Sequence, residues 1–93
     1  MQIATAIVRL HAPWVHSLKE KRMIVKSIIA KVQNKFNVSI AEVAEMDTHQ
    51  IIEIGMSTVA NKTKQAQLVI DHVIDFIDNH CEAEVIKITK ELY

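Results

Sequence analysis

The stretch SLKEKRMIVKSIIAKVQNKF, residues 17–36, decides the fold of this chain. Ser17 and Glu20 have the spacing of a capping box, which predicts a helix that begins at Leu18. With a rotation of about 100° per residue, the apolar side chains fall within about a third of the helix circumference. They are Leu18, Val25, Ile28, Ile29, Val32 and Phe36. The stretch therefore predicts a helix that packs with one side against the rest of the chain.

The same helix holds six of the eleven basic residues of the chain. Lys19, Lys21 and Arg22 crowd its first turns, where the helix dipole is already positive and favours acidic side chains. Two interpretations stay open at this point. The cations either form a solvated surface without a task or belong to an anion site at the start of the helix.

The charges are divided unevenly along a chain whose formal net charge is zero. Residues 1–35 carry seven basic side chains against one acidic side chain, and residues 36–93 carry four against ten. The two parts therefore have charges of +6 and −6. Such a chain has a large dipole, which favours an oriented contact with a polyanion or head-to-tail self-contact.

The length of 93 residues, 49% of them hydrophobic, predicts a single domain over residues 1–93.

Compartment and membrane signals also follow from the sequence. Cys81 is the only cysteine, so no internal disulfide can form. The first ten residues, MQIATAIVRL, lack the charged region and the cleavage site of a signal peptide. No apolar run approaches the roughly 18 residues of a membrane span. We therefore expect a cytoplasmic protein without a membrane partner.

The remaining segments predict four strands and a second helix. The strands are expected at residues 2–10, 38–45, 50–60 and 83–89. The first is rich in β-branched residues and contains no breaker, which is typical of a central strand, and the second and third are close enough to form a hairpin. Asn61 is expected to cap a second helix that extends through about Cys81.

The element order β-α-β-β-α-β predicts a ferredoxin-like α+β fold, with a four-stranded antiparallel sheet and both helices on one face. We expect the first and third strands to be parallel neighbours, so that both helices begin at one edge of the sheet. Cations from the two helix starts would then share a basic rim that binds anions or RNA. The predicted binding residues are Lys19, Lys21, Arg22, Lys26, Lys62 and Lys64.

Two motifs resemble a known family. HSLKEKR at residues 16–22 and KFNVSIAEV at residues 35–43, with the element order over nearly the whole chain, are similar to the YlxP-like proteins, a bacterial family of unknown function. The resemblance implies a ferredoxin-like fold. It also implies a role around RNA or the ribosome, because genes of this family often lie beside translation and ribosome-assembly factors. It implies no catalytic residue.

The residue types that usually carry catalysis or bind metals are present but poorly spaced. His80 and Cys81 are adjacent on the second helix and cannot both face one ion, and the chain has no second cysteine and no H-x-x-x-H pair. A thiol at a helix C-terminus has little thiolate. Gly55 is the only glycine, so a glycine-rich phosphate loop is impossible. We therefore expect no metal, no cofactor and no enzymatic activity.

Two functions compete at this stage. Binding of single-stranded RNA on a sheet needs aromatic side chains on the central strands, which carry none. The first hypothesis is therefore contact with structured RNA or a ribosomal particle through phosphates at the basic rim, with Trp14 either stacking a base or covering the core. The alternative is a homodimeric structural or protein-interaction module without nucleic-acid binding, because the third strand places Ile51 and Val59 on the open sheet face. We expect a homodimer under either hypothesis.

Overall fold

The computed structural model describes the whole chain, from Met1 to Tyr93. Its elements in chain order are β1 (Gln2–His11), α1 (Leu18–Lys35), β2 (Ser39–Ala44), β3 (Ile51–Ala60), α2 (Thr63–His80) and β4 (Glu84–Leu92). The four strands form one sheet in the order β2-β3-β1-β4, and every neighbouring pair is antiparallel. The predicted ferredoxin-like fold is confirmed.

β1 and β3 are neighbours as expected, but they are antiparallel. Gln2 lies opposite Ala60, and His11 lies opposite Ile51. Each helical crossover returns the chain in the direction of the preceding strand, whereas the hairpin between β2 and β3 reverses it once. β3 must therefore run against β1. The expected parallel pair was wrong, and with it the expectation that both helices run in one direction.

The helix starts differ in their capping. In α1 the Ser17 hydroxyl accepts a hydrogen bond from the amide of Glu20 at 3.1 Å, and the Glu20 carboxylate accepts one from the amide of His16 at 3.0 Å. α1 thus begins at the predicted residue. In α2 the N-cap is Lys62 rather than Asn61, and its side chain makes no capping hydrogen bond.

The core lies between the sheet and the helix layer. Alternate residues of β1 and β3 face it, and α1 and α2 turn their apolar sides towards the sheet. The buried strand residues include Ala4, Ala6, Val8, Leu10, Ile52, Ile54 and Met56. α2 packs over β1 and β3, and α1 packs against β2. Neither helix is long and apolar enough to span a membrane.

The other face of the sheet is open and only partly apolar. Ile7 and Val59 are exposed there, as the alternation along the strands predicts. The small side chains of Ser57 and Thr5 lie between them, because these residues are opposite each other in the β1–β3 register. The open face is therefore not one continuous apolar patch, which weakens the argument for association face to face.

Candidate nucleic-acid interface

Lys21, one of the predicted binding residues, is buried. Its side chain is 1% exposed, its ammonium lies 3.0 Å from Glu42 Oε2, and it donates a hydrogen bond to the carbonyl of Glu45. Lys21 shares one side of α1 with Val25 and Ile28, so the helix directs it towards the sheet. It links α1 to β2 and is not accessible to RNA. The prediction of Lys21 as a binding residue was wrong.

The turn after β2 positions a backbone carbonyl that binds Lys21. Glu45 has a φ of 60° and is the only residue of the chain with a positive φ. Its carbonyl accepts the Lys21 hydrogen bond, while its carboxylate accepts a hydrogen bond from Arg9 at 3.1 Å. Arg9 also lies 3.6 Å from the carboxylate of Glu53. These contacts connect α1, the turn and the central strands, so Lys21 and Arg9 hold the fold together at this end of the sheet.

Lys62 and Lys64 lie at the opposite end of the sheet from the start of α1. α2 begins beside the start of β1, where the Thr63 hydroxyl donates a hydrogen bond to the side-chain oxygen of Gln2 at 3.2 Å. α1 instead begins after β1 has ended at His11. At about 3.3 Å per residue, β1 separates the two helix starts by roughly 30 Å. No single rim contains both helix starts, so the predicted rim was wrong.

Five exposed cations remain on the two solvated flanks of α1, and we call them together the α1 basic face. They are Lys19, Arg22, Lys26, Lys31 and Lys35. None of them has an acidic partner within the chain. The first three follow one another along the outer side of the helix, and the last two lie on the side towards α2. Lys35 lies 5.0 Å from the ring centre of Phe76, a cation–π contact that positions the ammonium without neutralising it.

The neighbouring helix carries the opposite charge. α2 contains Asp71, Asp75 and Asp78 on its solvent side, and only Asp71 has a basic partner, Lys90, at 3.1 Å. The helix layer is therefore basic along α1 and acidic along α2. A polyanion is attracted to the first and repelled by the second, which favours one orientation of contact.

A groove between the helices adjoins the basic face. It has a volume of about 400 Å³, and its lining includes Trp14, Met23, Lys31 and Cys81. Trp14 is 41% exposed and Met23 is 66% exposed, so both present apolar surface to solvent. An indole in this position is available to stack on a base beside the phosphate contacts.

The histidines and the cysteine do not form a site of their own. His80 stacks on Phe76 with ring centres 4.2 Å apart, and its Nδ1 lies 2.9 Å from the carbonyl of Phe76. Cys81 is half-buried against the core. No group of three or more His, Cys, Asp and Glu side chains is arranged to hold a metal ion. The α1 basic face is therefore the candidate site of this protein.

Comparison with known proteins identifies the family. A family model described as a protein of unknown function, DUF503, matches residues 3–90. The chain belongs to the DUF503 family. Over 68 residues it is 44% identical to the uncharacterized protein YlxP of Bacillus subtilis (strain 168). The aligned segment covers 73% of this chain and 74% of that protein. The resemblance to the YlxP-like proteins is confirmed.

A solved structure shows the same fold for this DUF503 chain. The solution NMR structure of LFR1 1, a de novo designed protein with ferredoxin fold, is similar with a TM-score of 0.53. The match covers 99% of this chain and 85% of the designed protein, at 17% sequence identity. At this identity the likeness concerns the arrangement of helices and strands alone.

Proposed function

We propose that this DUF503 protein is a non-enzymatic cytoplasmic protein that contacts structured RNA, as on a ribosomal particle, through phosphates at the α1 basic face. The observation that carries the proposal is the absence of any acidic partner for five exposed cations on one helix. Glu20 is the only acid of α1, and its carboxylate binds the amide of His16. Uncompensated like charges on a helix repel one another, and the phosphates of a nucleic acid supply the missing anions.

The dimensions of α1 suit such a contact. Lys19, Arg22 and Lys26 share one flank, and Lys19 and Lys26 are seven residues apart, which at 1.5 Å per residue is about 10 Å of helix. A duplex carries roughly one phosphate charge per 1.7 Å of its axis, so this length faces several phosphates. Arg22 adds a planar guanidinium, which binds phosphate oxygens in bidentate fashion. Because β1 and β3 carry no aromatic side chain, recognition rests on backbone shape and charge rather than on base stacking across the sheet.

The alternative function is a homodimeric protein-interaction module without nucleic-acid binding. The exposed apolar side chains on the open sheet face and along β4 favour it. The two functions respond differently to salt. Phosphate contacts weaken as salt ions compete with the protein for the RNA. Association through apolar surface is not weakened by kosmotropic salts such as sulfate.

Salt dependence therefore tests the proposal. We expect fluorescence anisotropy to show binding of a labelled RNA hairpin at low salt. Between about 50 and 200 mM salt, log affinity should fall with log salt at a slope of roughly −2.7 to −4.5, as three to five neutralised phosphates predict. A single strand of equal length is the control and should bind more weakly. No binding at the lowest salt, or a slope near zero, would favour the interaction module instead.

A further inference from the structure

β4 has one edge whose backbone groups are not paired within the chain. β4 is an edge strand of nine residues, whereas β2, the other edge strand, has six and is bulged between Glu42 and Ala44. Short or bulged edges resist pairing with another chain, and long regular edges favour it. β4 has its own irregularity near its start, but from Lys87 to Leu92 it pairs with β1 without interruption.

Alternate residues of β4 direct their backbone groups away from the sheet. Tyr93 exchanges two backbone hydrogen bonds with Ile3, at 2.9 and 2.7 Å. Such pairs recur at every second residue of an antiparallel ladder, so the odd-numbered residues from 87 to 93 bond to β1. The even-numbered residues present their amides and carbonyls to solvent. They are Ile88, Lys90 and Leu92.

β4 carries side chains of opposite charge on the open face of the sheet, and those of two copies can pair with each other. Lys87 and Glu91 stand two residues before and two residues after Thr89. An antiparallel strand whose Thr89 lies opposite this Thr89 brings each Lys87 opposite the Glu91 of the other copy. The arrangement forms two cross-strand ion pairs. The same register sets Ile88 opposite Lys90, both with outward backbones, as the hydrogen bonds between the strands require.

Other registers lack this match. A pairing centred on Ile88 sets Lys87 opposite Thr89 and makes no ion pair. A pairing centred on Lys90 sets two lysines opposite each other, which is repulsive. Registers centred between two residues set outward backbone groups opposite inward ones and form no regular ladder. Both charge and backbone therefore select the register centred on Thr89.

Apolar side chains at this edge are half-exposed in a single copy. Ile86, Ile88 and Leu92 are 47%, 43% and 41% exposed. Leu92 also lines a groove of about 300 Å³ between α2 and β4. The register centred on Thr89 brings Leu92 to the level of Ile86 in the other copy, at both ends of the paired segment. Association thus covers apolar surface as well as pairing charges.

We propose that two copies of this chain join through β4 in antiparallel orientation, with Thr89 on the two-fold axis. The two four-stranded sheets become one continuous eight-stranded sheet. Both helix layers lie on the same face of that sheet. α1 packs at the opposite edge, against β2, so the interface leaves the α1 basic face exposed.

Charge reversal at β4 tests the interface. Light scattering after size exclusion should give the wild type about twice the chain mass of 10.6 kDa at micromolar concentration. Lys87→Glu and Glu91→Lys each turn both ion pairs into like-charge pairs and should weaken the dimer on the order of 10- to 100-fold. An equimolar mixture of the two variants should recover the dimer, because unlike charges then face each other at both positions.

Backbone pairing gives an independent readout. The amides of Ile88 and Lys90 should be protected from hydrogen exchange in the wild type and exposed in either charge variant. Lys90→Pro removes an outward amide, which an edge strand tolerates, and should abolish the dimer while circular dichroism shows a retained fold. If that variant does not fold, the charge variants and their mixture decide. A wild type with the mass of one chain, or a dimer that survives both charge reversals, would overturn the proposal.

Discussion

Replacement of Lys21 by methionine is expected to lower the free energy of unfolding by about 3 kcal/mol, because it leaves a buried carboxylate without its counter-charge. Glu42 is that carboxylate. Its side chain is 17% exposed, and its Oε2 is buried without a hydrogen bond, so the 3.0 Å contact with Lys21 is its electrostatic support. In a domain of this size the loss corresponds to a fall in Tm of roughly 12 to 24 °C. Thermal and chemical denaturation measure both values.

A second substitution separates charge from packing. Glu42→Leu in the Lys21→Met background removes both charges and should restore most of the lost stability. The double-mutant cycle should therefore show a coupling of about 1 to 3 kcal/mol between the two positions. Lys26→Met is the matched control on the same helix, since Lys26 is exposed, and should change stability by less than about 0.5 kcal/mol. Strictly additive losses at Lys21 and Glu42 would contradict the buried pair.

Reversal of Lys19 and Arg22 to glutamate is expected to weaken RNA binding by roughly 10- to 100-fold near 0.1 M salt, because two phosphate contacts are lost. The slope of log affinity against log salt should become less negative by nearly 2. Thermal stability should stay equal or rise slightly, since acidic side chains suit the first turns of a helix. Anisotropy and thermal denaturation of the same preparation thus give opposite responses, which separates a loss of binding from a loss of folding.

The control for this reversal is Lys62→Glu with Lys64→Glu. It changes the net charge by the same amount, but at the far end of the sheet, roughly 30 Å from the start of α1. Screening over such a distance is strong at physiological salt, so affinity should fall by less than about threefold. Equal losses in the two double variants would mean that affinity follows net charge rather than the α1 basic face.

Local patterns were sufficient to predict the fold, because each element has its own periodicity and its own end signals. The Ser17 cap and the apolar side of α1 are examples. The direction of β3 relative to β1 was wrong although the connections determine it. Two crossovers and one hairpin leave only the antiparallel arrangement. That error alone produced the predicted rim, since it placed Lys62 and Lys64 beside the start of α1.

The burial of Lys21 was missed although the sequence contains a signal for it. Lys21 stands one turn before Val25, in the middle of the apolar side of α1. Glu42 stands two residues after Ile40 and so shares its core-facing side of β2. A cation and an acid at two core-facing positions suggest a buried pair. Their contact also requires α1 to pack against β2, and no local pattern in either element specifies that packing.

Co-sedimentation with ribosomal subunits at graded salt is the most direct test of the proposed function. We predict that the wild type and the Lys62→Glu, Lys64→Glu variant pellet with the subunits at low salt and are released as salt rises. The Lys19→Glu, Arg22→Glu variant should stay in the supernatant at every salt concentration. A wild type that does not pellet at low salt, or a Lys19 and Arg22 reversal that pellets like the wild type, would contradict phosphate binding by the α1 basic face.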